Sequence, residues 1–288
     1  MAVGTYEELQ AELQERMPAL APGQRRIATV LLSDPEGTAL RSIAETAKVA
    51  GVNQSSLVRF ATMLGLKGYP ALVRLCRDHL SGQANLVSRF ERAQQRTGQE
   101  SLFSAVLEHE KDNLTRSYAR IGQADWDNAV RTLAEASSVY VMGLRKCAPI
   151  AQLLSYLLKL VRRQVEQISP AAGMFVDQLR DLDPEGAFVA VSIRRYTADT
   201  VRALEHAKER GLATIALTDD PASPLARLAD TTFYLETEGV TILRSLSVFT
   251  SVAQTLATAV ALHLGTRSRQ ELLVDEQLLA DFHVYYED

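Results

Sequence analysis

Apolar residues recur at helical spacing through the first eighty positions. Tyr6, Leu9, Leu13 and Met17 mark one amphipathic helix, and Ile27, Val30 and Leu31 mark a second that ends near Ser33-Asp34-Pro35. Ser42, with Glu45 three residues on, forms a capping box for a short third helix. The chain then breaks at Ala50-Gly51-Val52, and Asn53 is placed to cap a helix reaching about Leu64. A second break at Leu66-Lys67-Gly68-Tyr69-Pro70 precedes a helix to about Leu80, with Pro70 in its first turn.

Beyond this block the pattern changes. Residues 82–100 are rich in Gln, Arg, Ser and Gly and read as a linker, followed by a long helix over residues 102–121. Short β-rich runs then alternate with helical stretches. Runs at 139–142, 188–191, 214–217 and 232–235 are followed by helices at 150–160, 197–210, 225–230 and 242–264, and residues 165–168 form a further strand. Strands alternating with helices of this length build a parallel sheet with helices on both faces. The expected organisation is an all-α domain over 1–80, a linker and connecting helix over 81–122, and an α/β domain with a five-stranded parallel sheet over 123–288.

Composition narrows the class. With 47% hydrophobic and 23% charged residues, the chain has ample material for buried cores. Its two cysteines, Cys76 and Cys147, lie far apart and outside any Cys/His cluster, which excludes a disulfide framework or zinc ribbon and fits a reducing compartment. The N-terminus lacks the basic and apolar regions of a signal peptide. The most apolar stretch, residues 245–264, is interrupted by Ser, Thr, Gln and His and reads as a buried core helix. A cytoplasmic protein without a membrane partner is expected. The net charge of -4 argues against a nucleic-acid partner, yet residues 53–79 carry Arg59, Lys67, Arg74 and Arg77 against Asp78 alone. Local charge governs such contacts more than the total.

Two short helices joined at a Gly-containing turn raise the possibility of a helix-turn-helix. That element needs a small residue where its helices cross, a glycine at the turn and an apolar residue beneath the second helix. Ala47, Gly51 and Leu57 supply these, and Ile43, Val52 and Phe60 can fill the core between them. Asn53, Gln54, Ser55, Ser56 and Arg59 then fall at the start of the second helix, where a major-groove reader presents its side chains. Gln and Arg suit adenine and guanine edges, while Lys67 and the amides near Gly68-Tyr69 suit phosphate. The spacing alone also fits an ordinary helical hairpin with solvated polar residues.

The stretch from Ile43 to Pro70 closely resembles the N-terminal domain of the RpiR family of bacterial regulators, above all in Val58-Arg59-Phe60 and Leu64-Gly65-Leu66-Lys67-Gly68-Tyr69. The second half resembles the sugar isomerase (SIS) domain that such regulators carry as a ligand sensor. That likeness rests on Val139–Gly143, on residues 188–192, on residues 197–219 and on residues 223–230. It implies phosphosugar binding by hydroxyls and backbone amides in the strand-to-helix loops, where helix N-termini favour anions.

The loops depart from that family's pattern. Small residues give way to Arg145, Lys146 and Cys147 after Gly143, and to Arg194 and Arg195 between Ser192 and Thr197. Arginine fills the space that glycine leaves for phosphate but offers planar donors to an anion. An anionic effector that is not a plain sugar phosphate is therefore expected, and Glu236 and Glu238 after the last strand lie either near the same crevice or in a solvated loop. The alternative is that these cations pair with carboxylates at the surface or across a subunit interface. Cys147 beside Arg145 and Lys146 also raises the question of redox sensing.

The combined expectation is a DNA-binding regulator, not an enzyme. It would work without a cofactor, as a homodimer or homotetramer on a double-stranded operator, with a small anionic effector modulating the binding. A SIS-type sugar-phosphate isomerase is the main alternative, and a non-catalytic carbohydrate-derivative-binding protein another. No histidine has a convincing catalytic setting, and a fused DNA reader has no use in a simple isomerase. A protein-interaction role for the N-terminal helices is disfavoured by the polar, Arg-bearing face of the second.

Overall fold

A computed structural model of the chain describes residues 3–84, 86, 89–91, 102–170 and 173–286. The chain divides into two compact units, Met1–Gly98 and Gln99–Asp288.

The first unit is helical: α1 (Tyr6–Arg16), α2 (Pro22–Ser33), α3 (Pro35–Leu40), α4 (Ile43–Ala50), α5 (Gln54–Met63) and α6 (Tyr69–Ala84). Its core gathers Leu9, Leu13, Leu31, Leu57, Phe60 and Leu72, all nearly inaccessible to solvent. Burial of each such side chain contributes about 1.5–3 kcal/mol. The stretch Ser33-Asp34-Pro35, expected as a helix end, also begins a helix. Asp34 terminates α2 while its carboxylate accepts from the Gly37 amide at 2.7 Å, and Pro35 opens α3. The capping box at Ser42 and Glu45 forms, and Gly51 ends α4 with φ 62° and ψ 41°.

The second unit holds α7 (Leu102–Arg120), α8 (Gln123–Glu135), β1 (Val139–Gly143), α9 (Ala148–Val161), β2 (Val165–Ile168), α10 (Phe175–Arg180), β3 (Ala187–Val191) and α11 (Ala198–Glu209). These are followed by β4 (Ala213–Thr218), α12 (Pro224–Leu228), β5 (Thr231–Tyr234), α13 (Ser247–Leu264) and α14 (Thr266–Asp281). All strand pairs are parallel, in the order β2-β1-β3-β4-β5. Side chains alternate across the sheet as period-2 geometry requires. Val139, Val141, Val189 and Leu217 enter the core beneath α8, α9 and α13, whereas Tyr140, Met142, Phe188 and Ala190 pack with Leu204 and Ala207 of α11.

α13 begins at Ser247, five residues later than its apolar pattern implies. By length and composition this helix could cross a membrane, but Val248, Phe249, Val252, Leu256 and Val260 are buried in the sheet core. Helices α8 and α14 were not anticipated from periodicity. In α14 the only buried residue among those described is Ser268, so no apolar stripe marks its inner face. Part of the linker stretch lies outside the described residues. Within them, α6 continues to Ala84, and α7 belongs to the second unit.

Candidate DNA-reading helix and ligand crevice

In the first unit, α4 and α5 meet at Gly51, whose left-handed backbone turns the chain back. Arg26 of α2 holds the turn from outside, donating to the carbonyls of Ala50 at 3.2 Å and Gly51 at 3.1 Å. Ala47, Leu57 and Phe60 are buried, and Ile43 and Val52 pack against them. This burial leaves Asn53, Gln54, Ser55 and Arg59 exposed and Ser56 half-buried on the opposite face of α5. Asn53 occupies the N-cap position with extended backbone, but its side chain does not cap the helix. Arg59 and Lys67 are exposed and make no hydrogen bond or ion pair among the described residues. Arg77 is committed elsewhere, donating to the Ala39 carbonyl at 2.9 Å. Val58, which sequence reasoning did not single out, is 42% exposed beside Ser55 and Arg59 and adds an apolar patch to this otherwise polar face.

In the second unit, the strand order reverses between β1 and β3, where crevices in open α/β sheets form beyond the carboxyl ends of the strands. The loops bearing Arg145–Cys147 and residues 192–197 leave the sheet at these neighbouring ends. Ser192 is buried, and its hydroxyl accepts from the Thr197 amide at 3.4 Å. Thr197 precedes α11, whose first turn receives no side-chain cap. Arg145 and Arg195 are exposed at the rim.

Three expected residues take on structural work. A Cβ added to Gly143 would lie 2.7 Å from the Cys147 carbonyl and 3.2 Å from Ala151 Cβ, so this glycine makes room for the chain's own turn into α9. Lys146 donates to the Arg244 carbonyl at 2.8 Å, tying the first loop to the last. Arg194 Nη2 contacts Asp220 at 3.4 Å, while its backbone amide donates to Asp219 at 3.1 Å. The anticipated pairing of these arginines with carboxylates thus occurs at Arg194.

Asp219 and Tyr196 were not singled out beforehand. The Tyr196 hydroxyl donates to Asp219 Oδ1 at 3.0 Å. Burial pushes the Asp219 carboxyl up, against the opposing pull of the Arg194 amide and the Arg194 and Arg244 guanidiniums. Burial, reinforced by Asp219, also raises the Tyr196 hydroxyl. The position of Asp219 right after β4 was the available signal, since every parallel strand delivers its next residue to this edge. Burial holds the Cys147 thiol up at about 11, although an Ile193 backbone hydrogen bond and Lys146 pull it down. It is therefore a protonated, buried thiol at neutral pH, the opposite of an activated one. Glu238 is exposed and meets Arg244 Nη1 at 3.2 Å, and Glu236 pairs with Arg120 at 2.6 Å.

The sequence model of the helix-turn-helix domain, rpiR family, matches residues 7–82, and that of the SIS domain matches residues 132–264. The chain carries a helix-turn-helix domain of the rpiR family. It is a transcriptional regulator built from a helix-turn-helix and a SIS domain. Among its relatives, the HTH-type transcriptional regulator HexR of Pseudomonas aeruginosa is 26% identical over 265 residues, covering 90% of this chain and 91% of HexR. The sugar isomerase domain of the RpiR transcription factor from Sphaerobacter thermophilus is 28% identical with a TM-score of 0.59, covering 62% of this chain and 99% of that one. The Vibrio vulnificus NanR protein complexed with ManNAc-6P shares the fold at a TM-score of 0.59 and 16% identity, over 95% of this chain and 99% of NanR.

Proposed function

We propose that this protein is a cytoplasmic, non-catalytic regulator of the RpiR family whose affinity for a double-stranded operator is set by a small anionic metabolite bound in the SIS crevice. In this reading α5 enters the major groove, with Gln54, Ser55, Ser56 and Arg59 against base edges and Asn53 and Lys67 against the backbone. The observation that carries the DNA half is the solvent-facing surface of α5, from which capping and ion pairing withdraw neither Asn53 nor Arg59. A homodimer or homotetramer would present two such helices to a palindromic site.

For the effector, the uncapped start of α11 supports an anion over Ser192 and Thr197, with Arg145 and Arg195 at the rim. The ManNAc-6P held by the NanR relative makes a phosphorylated sugar a reasonable first probe. Arg194, Lys146, Gly143, Cys147 and Glu238 then act as the frame and outer wall of that crevice. None of the contacts described for this edge involves a histidine. His206 faces the Leu179 carbonyl at 3.3 Å and His263 lies 3.7 Å from Glu135.

The test is a fluorescence-anisotropy titration of the full chain on DNA from beside its own gene, across salt concentrations. Arg59→Ala should weaken specific binding by about 1–3 kcal/mol, and Lys67→Ala should lower the salt slope by about 1. ManNAc-6P and inorganic phosphate should raise the melting temperature, and Arg145→Ala should remove that rise. No binding to that DNA, combined with turnover of a sugar phosphate, would replace this reading with the isomerase.

A further inference from the structure

The two residues that α7 buries fully, Asn113 and Ser117, are both polar. Glu110, Asn113, Ser117 and Arg120 are spaced three, four and three residues apart, so they form one stripe along the helix. All four hold the loop that follows β5. Asn113 Nδ2 donates to the Glu238 carbonyl at 2.7 Å, and Ser117 Oγ accepts from the Glu236 amide at 2.8 Å. Glu110 accepts from the Ser245 hydroxyl at 2.8 Å, and Arg120 pairs with the Glu236 carboxylate at 2.6 Å. Asn113 and Ser117 are wholly buried, whereas Leu102, Phe103 and Leu107 of the same helix are exposed.

The same loop also faces the crevice. Its Arg244 donates to Thr237 at 3.0 Å and Glu238 at 3.2 Å, while the Arg244 carbonyl accepts from Lys146. The guanidinium also lies close enough to Asp219 to oppose the rise in its pKa. Loop 236–245 is therefore held by α7 on one side and by Lys146 on the other, with the Arg244 guanidinium bridging Thr237 and Glu238 inside the loop. The Glu238 side chain meets Arg244, whose own carbonyl is held by Lys146, and the Glu238 carbonyl is held by Asn113 of α7.

We infer that α7 reads the occupancy of the crevice through this loop, with Asn113 and Ser117 as the positioning residues of the relay. The inference rests on the effector reading above and adds its route. An anion that draws Arg244 or Lys146 away from present partners shifts Glu238 and Thr237. Asn113 and Ser117 are sealed from water, so their bonds to the loop are either kept or lost outright. Keeping them requires α7 to follow the loop. In the second unit, α7 is also the described element nearest along the chain to the DNA-reading unit, which makes it the lever such a signal needs.

Amide hydrogen exchange on the full chain tests the relay without any effector. Arg244→Ala, made on the crevice side, should speed exchange over residues 110–120 by about fivefold or more. Arg163→Ala, which breaks only the ion pair to Glu271, should leave those residues unchanged. Unaltered exchange in α7 on Arg244→Ala would overturn the proposal. Ser117→Ala tests the buried link, and the more exposed Arg120→Gln keeps the test open should Ser117→Ala fold poorly. With ManNAc-6P or inorganic phosphate as probe, both variants should still show a thermal shift. The ratio of operator Kd with and without the probe should fall toward one. An undiminished ratio in both would also overturn it. If neither probe alters the wild-type protein, the choice of effector fails and the exchange result alone decides the relay.

Discussion

Replacing Gly51 by alanine isolates the backbone's part in the turn between α4 and α5. Gly51 sits at φ 62° and ψ 41°, in the left-handed region. An added Cβ meets nothing closer than Arg26 Nε at 3.7 Å, an ordinary contact, so crowding contributes nothing. The left-handed conformation costs a residue with a Cβ about 1–2 kcal/mol. Alanine also narrows the unfolded ensemble, returning about 0.4–1 kcal/mol. The net loss is about 1 kcal/mol, or about 4–8 °C in the melting temperature of a unit this small. Gly51→Asn should lose less than half as much, because asparagine tolerates this conformation.

The assay uses two signals from the full chain, since two units need not unfold as one transition. The single tryptophan, Trp126, lies in the second unit with its ring 5.8 Å from Phe233, so its fluorescence follows that unit alone. Far-ultraviolet circular dichroism follows the helices of both. Gly51→Ala should lower the dichroism transition and leave the tryptophan transition in place. Unchanged melting by both signals, or equal losses for alanine and asparagine, would refute the backbone argument.

Arg162 supports a second prediction. It is buried and its guanidinium donates to the carbonyls of Leu133, Ala136 at 2.8 Å and Ser137 at 3.2 Å, closing the end of α8. Arg162→Ala should cost the second unit about 3 kcal/mol in denaturant unfolding followed by Trp126, with Arg162→Lys recovering less than half for want of the planar fork. A loss under about 1 kcal/mol would mean that water replaces the guanidinium. The Cys147 thiol, raised from its ordinary 9.0 to about 11, bears on pH dependence. The folded state holds this proton more tightly than the unfolded state, so the stabilisation is complete below pH 9.0 and disappears as pH rises toward about 11. Cys147→Ser should flatten that decline in the Trp126 transition. At about pH 8, alkylation of Cys147 by iodoacetamide should run about 100-fold slower than for an exposed thiol, read by peptide mapping to separate it from Cys76. Rapid alkylation of the folded protein would contradict the burial argument.

What the chain encodes locally was legible in its order of residues. Period-2 runs place Val139, Val141 and Val189 on one face of the sheet and Tyr140 and Phe188 on the other, because strand geometry alone decides the alternation. Ala47, Gly51 and Leu57 mark the helix-turn-helix because a tight helical crossing constrains residue size and backbone conformation at fixed offsets. The parallel sheet likewise brings the loops after β1 and β3 to one edge. Partnership across that edge was not legible. Arg145 and Arg194 look alike in sequence, yet one is exposed and the other is paired with Asp220. Gly143 resembles a ligand glycine and is filled by the chain's own turn. Apolar Leu102, Phe103 and Leu107 of α7 are exposed, and the buried Asn113 finds its acceptor 125 residues away. A hydrophobic stripe reports only that some surface must be covered. Which polar atoms meet depends on distances that exist only once the sheet has brought distant loops together.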